Sequence, residues 1–551
     1  MKRQTNLYII VIGIFMLLIS GSFLSEGLSR VGMDNAVVSQ RMSEGFEDFW
    51  LPSLSAPGNP DRMNYMPLGY WIESLWYRLF GTNTFMAEKI YSVLTYFILG
   101  ALIIWIWTLS GQSRRSGWLP LLCWITIPIV TWSATNNLLE STMTIFVLLS
   151  VAFLLKAGKA SFIASSRLAL GKPSGPYKLS RTSWIVLAAL MMELAFMVKG
   201  FAGLFPIFFP FLYWLIVRRE RILFPIFSTG VILVVWMATA FVAIFVWPET
   251  YTHLYNYLHH QLIGGVLHVR TVASRFYIFY ALIIQAAIPI CLALAIALIR
   301  IKKRPVLRFV FFWRNQNKIT AQQASTCRMG WFFFALGLSG VIPVMLGYKQ
   351  QDFYMVPTLP FFAISLGCLL YNMIDDWLEN MNLLAQRVLW GLAILLFGSG
   401  LLLNFNSIHR VNSNSALLGD MRLILPYLED GETLSVSPEI ISSPEAEEYF
   451  YRYKNIVFDT SAFHKHLLTM YSSANVVPDS LELKNLNIPT QLYKLYELVP
   501  KPVDDFFDFD TSFMWDIDSS TTSDYDEYED YNDYEDHDDY EDYELKVMLG
   551  H

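Results

Sequence analysis

Long apolar runs decide what this chain can be. Stretches of about 17 to 25 residues with few charges recur along it, and each has the length of helix that crosses a hydrocarbon core roughly 30 Å thick at about 1.5 Å per residue. The balance of residue types agrees. Of 551 residues, 54% are hydrophobic and 16% charged, where a soluble chain carries about 25% charged residues. Trp and Tyr are abundant, as expected where rings sit at the water–lipid boundary.

The first run, 7–24, follows Lys2 and Arg3. It resembles a secretory signal, but no small-residue cleavage site follows and many more runs do, so it reads as a retained helix. Further spans are expected near 86–109, 117–134, 138–156, 183–198, 201–217, 222–247, 276–299, 330–346, 353–373 and 388–404, about eleven in all.

Orientation follows from where the bases lie. With the N-terminus in the cytoplasm, the inner loops and their flanks carry 22 Lys and Arg, and the outer loops between spans carry eight. An odd number of spans puts residues 405 onward outside. Segment 405–503 has soluble composition. Thr433-Leu434-Ser435-Val436 and Ile456-Val457-Phe458 read as strands, and 445–453 and 462–471 as short helices. The fold class expected is therefore a polytopic α-helical membrane protein, 1–404, with a small periplasmic α/β domain, 405–503. Residues 504–551 hold 19 acids against one base, a charge of −18, so residues 1–503 carry +11 of the chain's net −7. That acidic tail cannot bury a core and reads as disordered.

Cys123, Cys291, Cys327 and Cys368 lie in or beside apolar runs with no CxxC and no nearby His. They read as small buried hydrophobes, with no metal site and no disulfide framework.

Under this topology the unusual polar residues share one side. Asp34 follows the first span, and Glu140 opens the fourth after Asn136 and Asn137. Lys199 ends the fifth. His259, His260, His268, Arg270 and Arg275 follow the seventh, and Lys349 and Asp352 lie between the ninth and tenth. A charge at membrane depth costs roughly 2.5–3.5 kcal/mol or more, so such residues usually line a cavity or a pathway. Cations from separate loops facing a few carboxylates suggest a pocket for an anion together with a base. The histidine spacing is not that of a zinc site; His268 with Arg270 is the pairing to test. The long first outer loop, 25–85, holds two helix-like pieces, 34–45 and 68–80. The second is amphipathic and aromatic-rich, with Glu73 on its polar face, and such helices lie in the membrane interface.

These residues carry a resemblance. One span is followed by Gly32-Met33-Asp34-Asn35 and Arg41-Met42-Ser43-Glu44-Gly45. Then come Pro67-Leu68-Gly69-Tyr70-Trp71 and Leu79-Phe80-Gly81. Asn136-Asn137-Leu138-Leu139-Glu140 and Val198-Lys199-Gly200 follow, and Lys349-Gln350 precedes Tyr354, Pro357 and Pro360. The order is similar to that of GT-C glycosyltransferases of the bacterial aminoarabinose transferase and protein O-mannosyltransferase type, over roughly residues 7–500. The resemblance implies a polyprenyl-phosphate-linked sugar as donor. It makes Asp34 the loop carboxylate near the reacting centre and Glu140 the acid opening the fourth span. Lys199 and Lys349 become holders of the donor phosphate, helped by Arg270 and Arg275, with Tyr354 in the Tyr-x-x-Pro stretch beside them. Many members have an acid, then Lys or His, then two prolines before the Leu-x-x-Trp stretch. Here those positions are Asn64, Tyr65, Met66 and Pro67, and the usual second acid after Asp34 is Asn35.

The functional expectation is a membrane glycosyltransferase of the bacterial inner membrane, working on the periplasmic side with a lipid A, other glycolipid or protein acceptor. Membrane lipids are its surroundings and nucleic acid is not a partner. No Gly-rich nucleotide loop is present; no cofactor is called for, with a divalent cation left open. Two other readings stand beside it. A flippase for a lipid-linked glycan would show inverted repeats and broken helices near mid-membrane, and the sequence shows neither. An inactive envelope-assembly scaffold is the third, and the missing charged pair at 64–65 keeps it in play.

Overall fold

In the computed structural model the described residues are 5–46, 49–50, 52, 66–81, 86–169, 180–267, 269–301, 321–379, 383–408, 410–411, 413–441, 444–471, 478 and 480–501. Residues 1–500 form one compact unit. The acidic tail, Asn64, Tyr65 and His268 lie outside the described residues.

The chain runs α1 (Thr5–Leu18), α2 (Arg30–Glu44), α3 (Leu68–Phe80), α4 (Met86–Leu109), α5 (Trp118–Ile125), α6 (Pro128–Ser133), α7 (Leu139–Ala169) and α8 (Arg181–Lys199). Then come α9 (Phe201–Val217), α10 (Leu223–Val246), α11 (Glu249–Asn256), α12 (Tyr277–Gln285), α13 (Ala287–Ile301), α14 (Ala321–Val341), α15 (Leu359–Glu379) and α16 (Leu383–Phe405). Among the described residues, seven helices are long and apolar enough to cross a membrane, or eight if the pair α12–α13, bent by 44°, counts as one span. The other three expected spans fall on shorter pieces: Leu7–Leu18, α9, and the broken pair α5–α6. The chain is a polytopic membrane protein.

Broken helices, not expected from the sequence, are thus present. Pro128 opens α6 after a break at Thr126–Ile127, where a ring without an N–H cannot continue the preceding helix. The freed Ile129 N–H donates to Gln285 Oε1 at 2.9 Å, so the last residue of α12 serves the α5–α6 break. Cys123 and Cys368 are buried as expected, but Cys291 is exposed on the outer face of α13.

Contacts between loops sort into two ends. At one, the Tyr8 hydroxyl donates to the Arg114 carbonyl, Gln112 to Thr326 at 2.8 Å, and Arg219 to Ser325 at 2.7 Å. At the other, Lys89 Nζ donates to the carbonyls of Ser22 and Ser25, and Asn35 to that of Asn137 at 3.0 Å. The loops grouped by alternation of spans therefore meet one another in space.

After α16 come α17 (Ser415–Ile424), β1 (Thr433–Val436), α18 (Pro444–Lys454), β2 (Val457–Asp459), β3 (His466–Met470), β4 (Leu481–Asn485) and β5 (Tyr493–Pro500). The sheet has the order β2-β1-β3-β5-β4. β1 is parallel to β2 and β3, and β5 is antiparallel to β3 and β4. Residues 462–471, expected as a helix, contain the central strand β3. His466 to Thr469 are buried consecutively; a strand covered on both faces shows a continuous run rather than alternation, and cannot be told from a buried helix by period.

α2 is buried on two sides. Met33, Ala36 and Val37 join the core of the C-terminal part, while Val38 and Met42 join the membrane core. The helix is held between the two. Ser29 caps it by accepting from the Gly32 N–H, and Gly45 ends it in the left-handed region. At Gly32 the helix touches the turn before α7, where a Cβ would run into the Asn136 carbonyl.

Candidate functional site

Lys199 is the last residue of α8, and Gly200 follows at φ +83°. An L side chain there would be strained, and its Cβ would meet the Tyr257 hydroxyl, which accepts from the Phe201 N–H at 3.1 Å. The Lys-Gly pair thus stops the helix and leaves the ammonium at its rim. Glu140 sits in the first turn of α7, where the helix dipole favours an anion. Lys199 Nζ donates to Glu140 Oε1 at 2.5 Å, the carboxylate side chain being 1% exposed. The ammonium also lies 5.3 Å from the Phe353 ring centroid and 5.9 Å from that of Tyr354. Both rings belong to the 3-10 turn Asp352–Thr358 that leads into α15.

Lys349 comes from the same connection and donates to Gln261 Oε1 at 2.9 Å. Burial, and then the neighbouring Lys199 charge, hold its ammonium below the usual lysine range. A half-buried ammonium at Lys349 whose charge is disfavoured by burial and by a second ammonium, itself paired with the buried Glu140, forms a place that an anion would relieve.

Arg270 and Arg275 are exposed and do not join this pair. Their guanidinium carbons lie 4.8 and 4.9 Å from the centroid of the Tyr348 ring. Thr271 ties their loop down, its N–H and hydroxyl each donating to the Tyr348 carbonyl at 3.1 Å. Gln350 fastens the same corner, donating to the Arg275 and Gly347 carbonyls at 2.9 and 2.7 Å. Beside them is an open cavity of about 490 Å³ lined by Thr271, Val272, Ala273, Tyr277, Gln350, Gln351, Asp352 and Phe353. The Tyr277 hydroxyl donates to Asp352 at 2.7 Å on its floor. Four cations expected as one set therefore form two: a half-buried lysine pair and an exposed arginine pair around Tyr348, the residue before Lys349.

Glu73 is fully buried, not on a polar face of an interfacial helix. It accepts from Ser39 at 2.9 Å, Tyr77 at 2.8 Å and Asn137 at 2.6 Å, joining α3, α2 and the turn before α7. Burial pushes its carboxyl up to about 7, against these three hydrogen bonds. Asp34 is half-buried on α2, and the charged groups acting on it are Glu448 of α18, Arg30 and Glu445. The sequence offered no sign of Glu448, Gln261 or Tyr348 as neighbours of the site; Gln350 was visible only as the residue after Lys349 in its motif. The buried Glu88–Arg452 pair, 2.7 Å, was likewise missed; Glu88 sits at the start of an apolar run, and an intramembrane acid is the signal that would have marked it. Among the described residues no group of three or more His, Cys, Asp or Glu side chains converges as a metal would need.

No protein-family model matches the sequence, and no curated protein does. Among solved structures, ArnT from Cupriavidus metallidurans superposes with a TM-score of 0.53 in its crystal structure bound to undecaprenyl phosphate, at 14% identity over 89% of this chain and 97% of that one. Its apo form gives 0.54 at 13% identity, over 89% and 96%. The archaeal oligosaccharyltransferase AglB from Archaeoglobus fulgidus, in complex with an inhibitory peptide and a dolichol-phosphate, gives 0.44 at 11% over 84% of this chain and 69% of its own. The chain shares the fold of ArnT.

Proposed function

We propose that this protein is a membrane glycosyltransferase of the bacterial inner membrane, moving a sugar from a polyprenyl-phosphate donor to an envelope acceptor on the periplasmic side. The observation that carries the reading is the convergence of Lys199 and Lys349 beside Glu140, Phe353 and Tyr354. The ArnT fold, seen elsewhere with undecaprenyl phosphate, supports it.

In the transfer, an acceptor oxygen bonds to the anomeric carbon as the bond from that carbon to the phosphate oxygen breaks. The leaving lipid phosphate gains negative charge, and the two ammonium groups are fixed where that charge develops. Glu140 fixes Lys199. Asp34 takes the acceptor's proton. It is next in sequence to Asn35, which donates to the Asn137 carbonyl three residues ahead of Glu140, so base and clamp belong to the same end of the fold. The Arg270–Tyr348–Arg275 group and the adjoining cavity serve the donor headgroup from the water side.

The test uses purified protein, a radiolabelled polyprenyl-phosphate sugar and an envelope extract as acceptor. Release of free lipid phosphate that depends on the acceptor supports the reading. Movement of the labelled lipid between leaflets of proteoliposomes without transfer would establish the flippase instead. The breaks at α5–α6 and α12–α13 are what that alternative has in its favour, yet at α5–α6 the freed N–H is met by the neutral Gln285.

A further inference from the structure

Helix α18 of the C-terminal part lies along α2, and its contacts follow one face. The Tyr449 hydroxyl accepts from the Leu28 N–H at 3.1 Å, Tyr451 sits under the Arg41 guanidinium at 5.2 Å, and Arg452 donates to Gln40 at 3.2 Å. On that same face Glu448 meets Asp34. Glu448 is 3% exposed. Among the described residues no donor reaches Asp34 Oδ1 or either Glu448 oxygen, all three of which are buried, and the two carboxyls are each other's side-chain neighbours. A buried carboxylate without compensation is costly, and such a group keeps its proton instead.

We infer that Glu448 is a positioning residue for Asp34: its protonated carboxyl, brought from the C-terminal part on α18, donates to Asp34 and holds that side chain in place. The inference rests on the reading of Asp34 as the group that takes the acceptor's proton.

The surroundings decide which of the two carboxyls keeps the proton. Burial pushes both up. At Asp34 the hydrogen bond from Glu448, and then the Arg30 charge, oppose the rise; at Glu448 the same hydrogen bond and the Asp34 charge add to it. Glu445, one turn earlier on α18, raises both. On α17, which also packs against α18, Asp420 is engaged by the Gln491, Leu492 and Tyr493 N–H groups, and Arg422 by Glu26. Glu448 is therefore the neutral donor and Asp34 the acceptor. In alkaline solution Glu448 ionises, the donor becomes a second negative charge, and the pair repels.

Glutamine keeps a donor at position 448 and cannot ionise; leucine removes the donor. In the full-length protein, Glu448→Gln is expected to keep transfer near neutral pH within about threefold while abolishing the alkaline fall of the wild-type profile. Glu448→Leu is expected to lower kcat about tenfold or more, with the donor KM unchanged. A wild-type alkaline limb in Glu448→Gln, or a wild-type rate and profile in Glu448→Leu, would overturn the inference. A wild-type protein that transfers nothing would instead remove the enzyme reading. The pairing is then judged from unfolding temperatures in detergent. The advantage of Glu448→Gln over wild type should widen as pH rises above the ordinary glutamate range, about 4.3. A gap that stays constant with pH would overturn the pairing itself.

Discussion

Lys199 Nζ donates to Glu140 Oε1 at 2.5 Å, so the end of α8 is tied to the first turn of α7, and the site cation is aimed by an acid from the preceding span. Each residue alone suits a helix end: a lysine can snorkel and an acid suits a first turn. Their contact with each other, beside Phe353 and Tyr354, is what a helix-end role does not require.

Removing that ammonium should therefore strike transfer rather than folding. Lys199→Ala is expected to lower the transfer rate by about 10²-fold, the effect of deleting one fixed donor aimed at developing charge. Because both lysines are assigned to one phosphate, Lys199→Ala with Lys349→Ala should cost clearly less than the product of the single losses. The measurement is release of labelled lipid phosphate by the three variants at equal amounts of folded protein. Strict multiplication of the losses would separate the lysines into independent sites.

Glu73 supplies a prediction about stability and pH. Its folded carboxyl is raised to about 7 by burial, against an ordinary value of 4.5. The folded protein therefore binds a proton that the unfolded chain has released. Stability is fully present below the ordinary value, declines as pH rises through the interval between the two, and levels off above it. The whole decline is about 3 kcal/mol at about 1.4 kcal/mol per unit. Glu73→Gln, which keeps an acceptor for Asn137 or Tyr77 without a charge, should flatten this part of the curve. Thermal unfolding of both proteins between pH 4 and 8 checks it, and parallel curves would exclude Glu73 as the titrating group.

What the sequence displays follows from which interactions are local. Apolar length is local, so the spans of α4, α7, α8, α10 and α16 were legible within a few residues. Strand β1 was legible because Thr433–Val436 has the composition of a strand, and β3 was misread because its covering on both faces comes from distant neighbours. At the site, Lys199, Glu140, Lys349 and Tyr354 were visible as charges or motif positions at span ends, and the structure brings them together. Asp34 was visible as a carboxylate, but its partner Glu448 lies more than 400 residues on, in an ordinary amphipathic helix. No pattern near either residue records that contact. Glu73 looked like a solvated residue because the groups that bury it, Ser39 and Asn137, arrive from other elements.

Gly200→Ala tests the local geometry that presents Lys199. The position is at φ +83°, and an added Cβ meets the Tyr257 ring and hydroxyl. A non-glycine residue in such backbone costs of order 1–3 kcal/mol. The turn after α8 must shift to clear Tyr257, which moves Lys199 away from Glu140. Transfer should fall by at least about tenfold, because displacements of about 1 Å in a positioned group carry losses of that order. Gly200→Ala combined with Tyr257→Phe should stay impaired, since the phenyl ring still occupies the space. Full activity of Gly200→Ala alone would show that the helix end tolerates an L residue.

The last prediction concerns how the C-terminal part is held. Arg452 of α18 reaches Glu88 of α4 at 2.7 Å, with side-chain exposures of 2% and 1%, and also bonds Gln40 and lies 5.2 Å from the Tyr77 ring centroid. Cutting one partner leaves the other charge buried and alone, which costs about 3–5 kcal/mol. Replacing both partners by apolar residues of similar size removes the orphan charge and should recover much of that loss. Arg452→Met and Glu88→Gln are thus each expected to lower the unfolding temperature and to expose α18 to limited proteolysis, whereas Arg452→Met with Glu88→Met should be milder than either single change. Since α18 also carries Glu448, the single variants should lose transfer along with that protection. A single variant that loses transfer while α18 stays protected would instead place Arg452 or Glu88 in the chemistry, and the pair would cease to be a fastening between α4 and the C-terminal part.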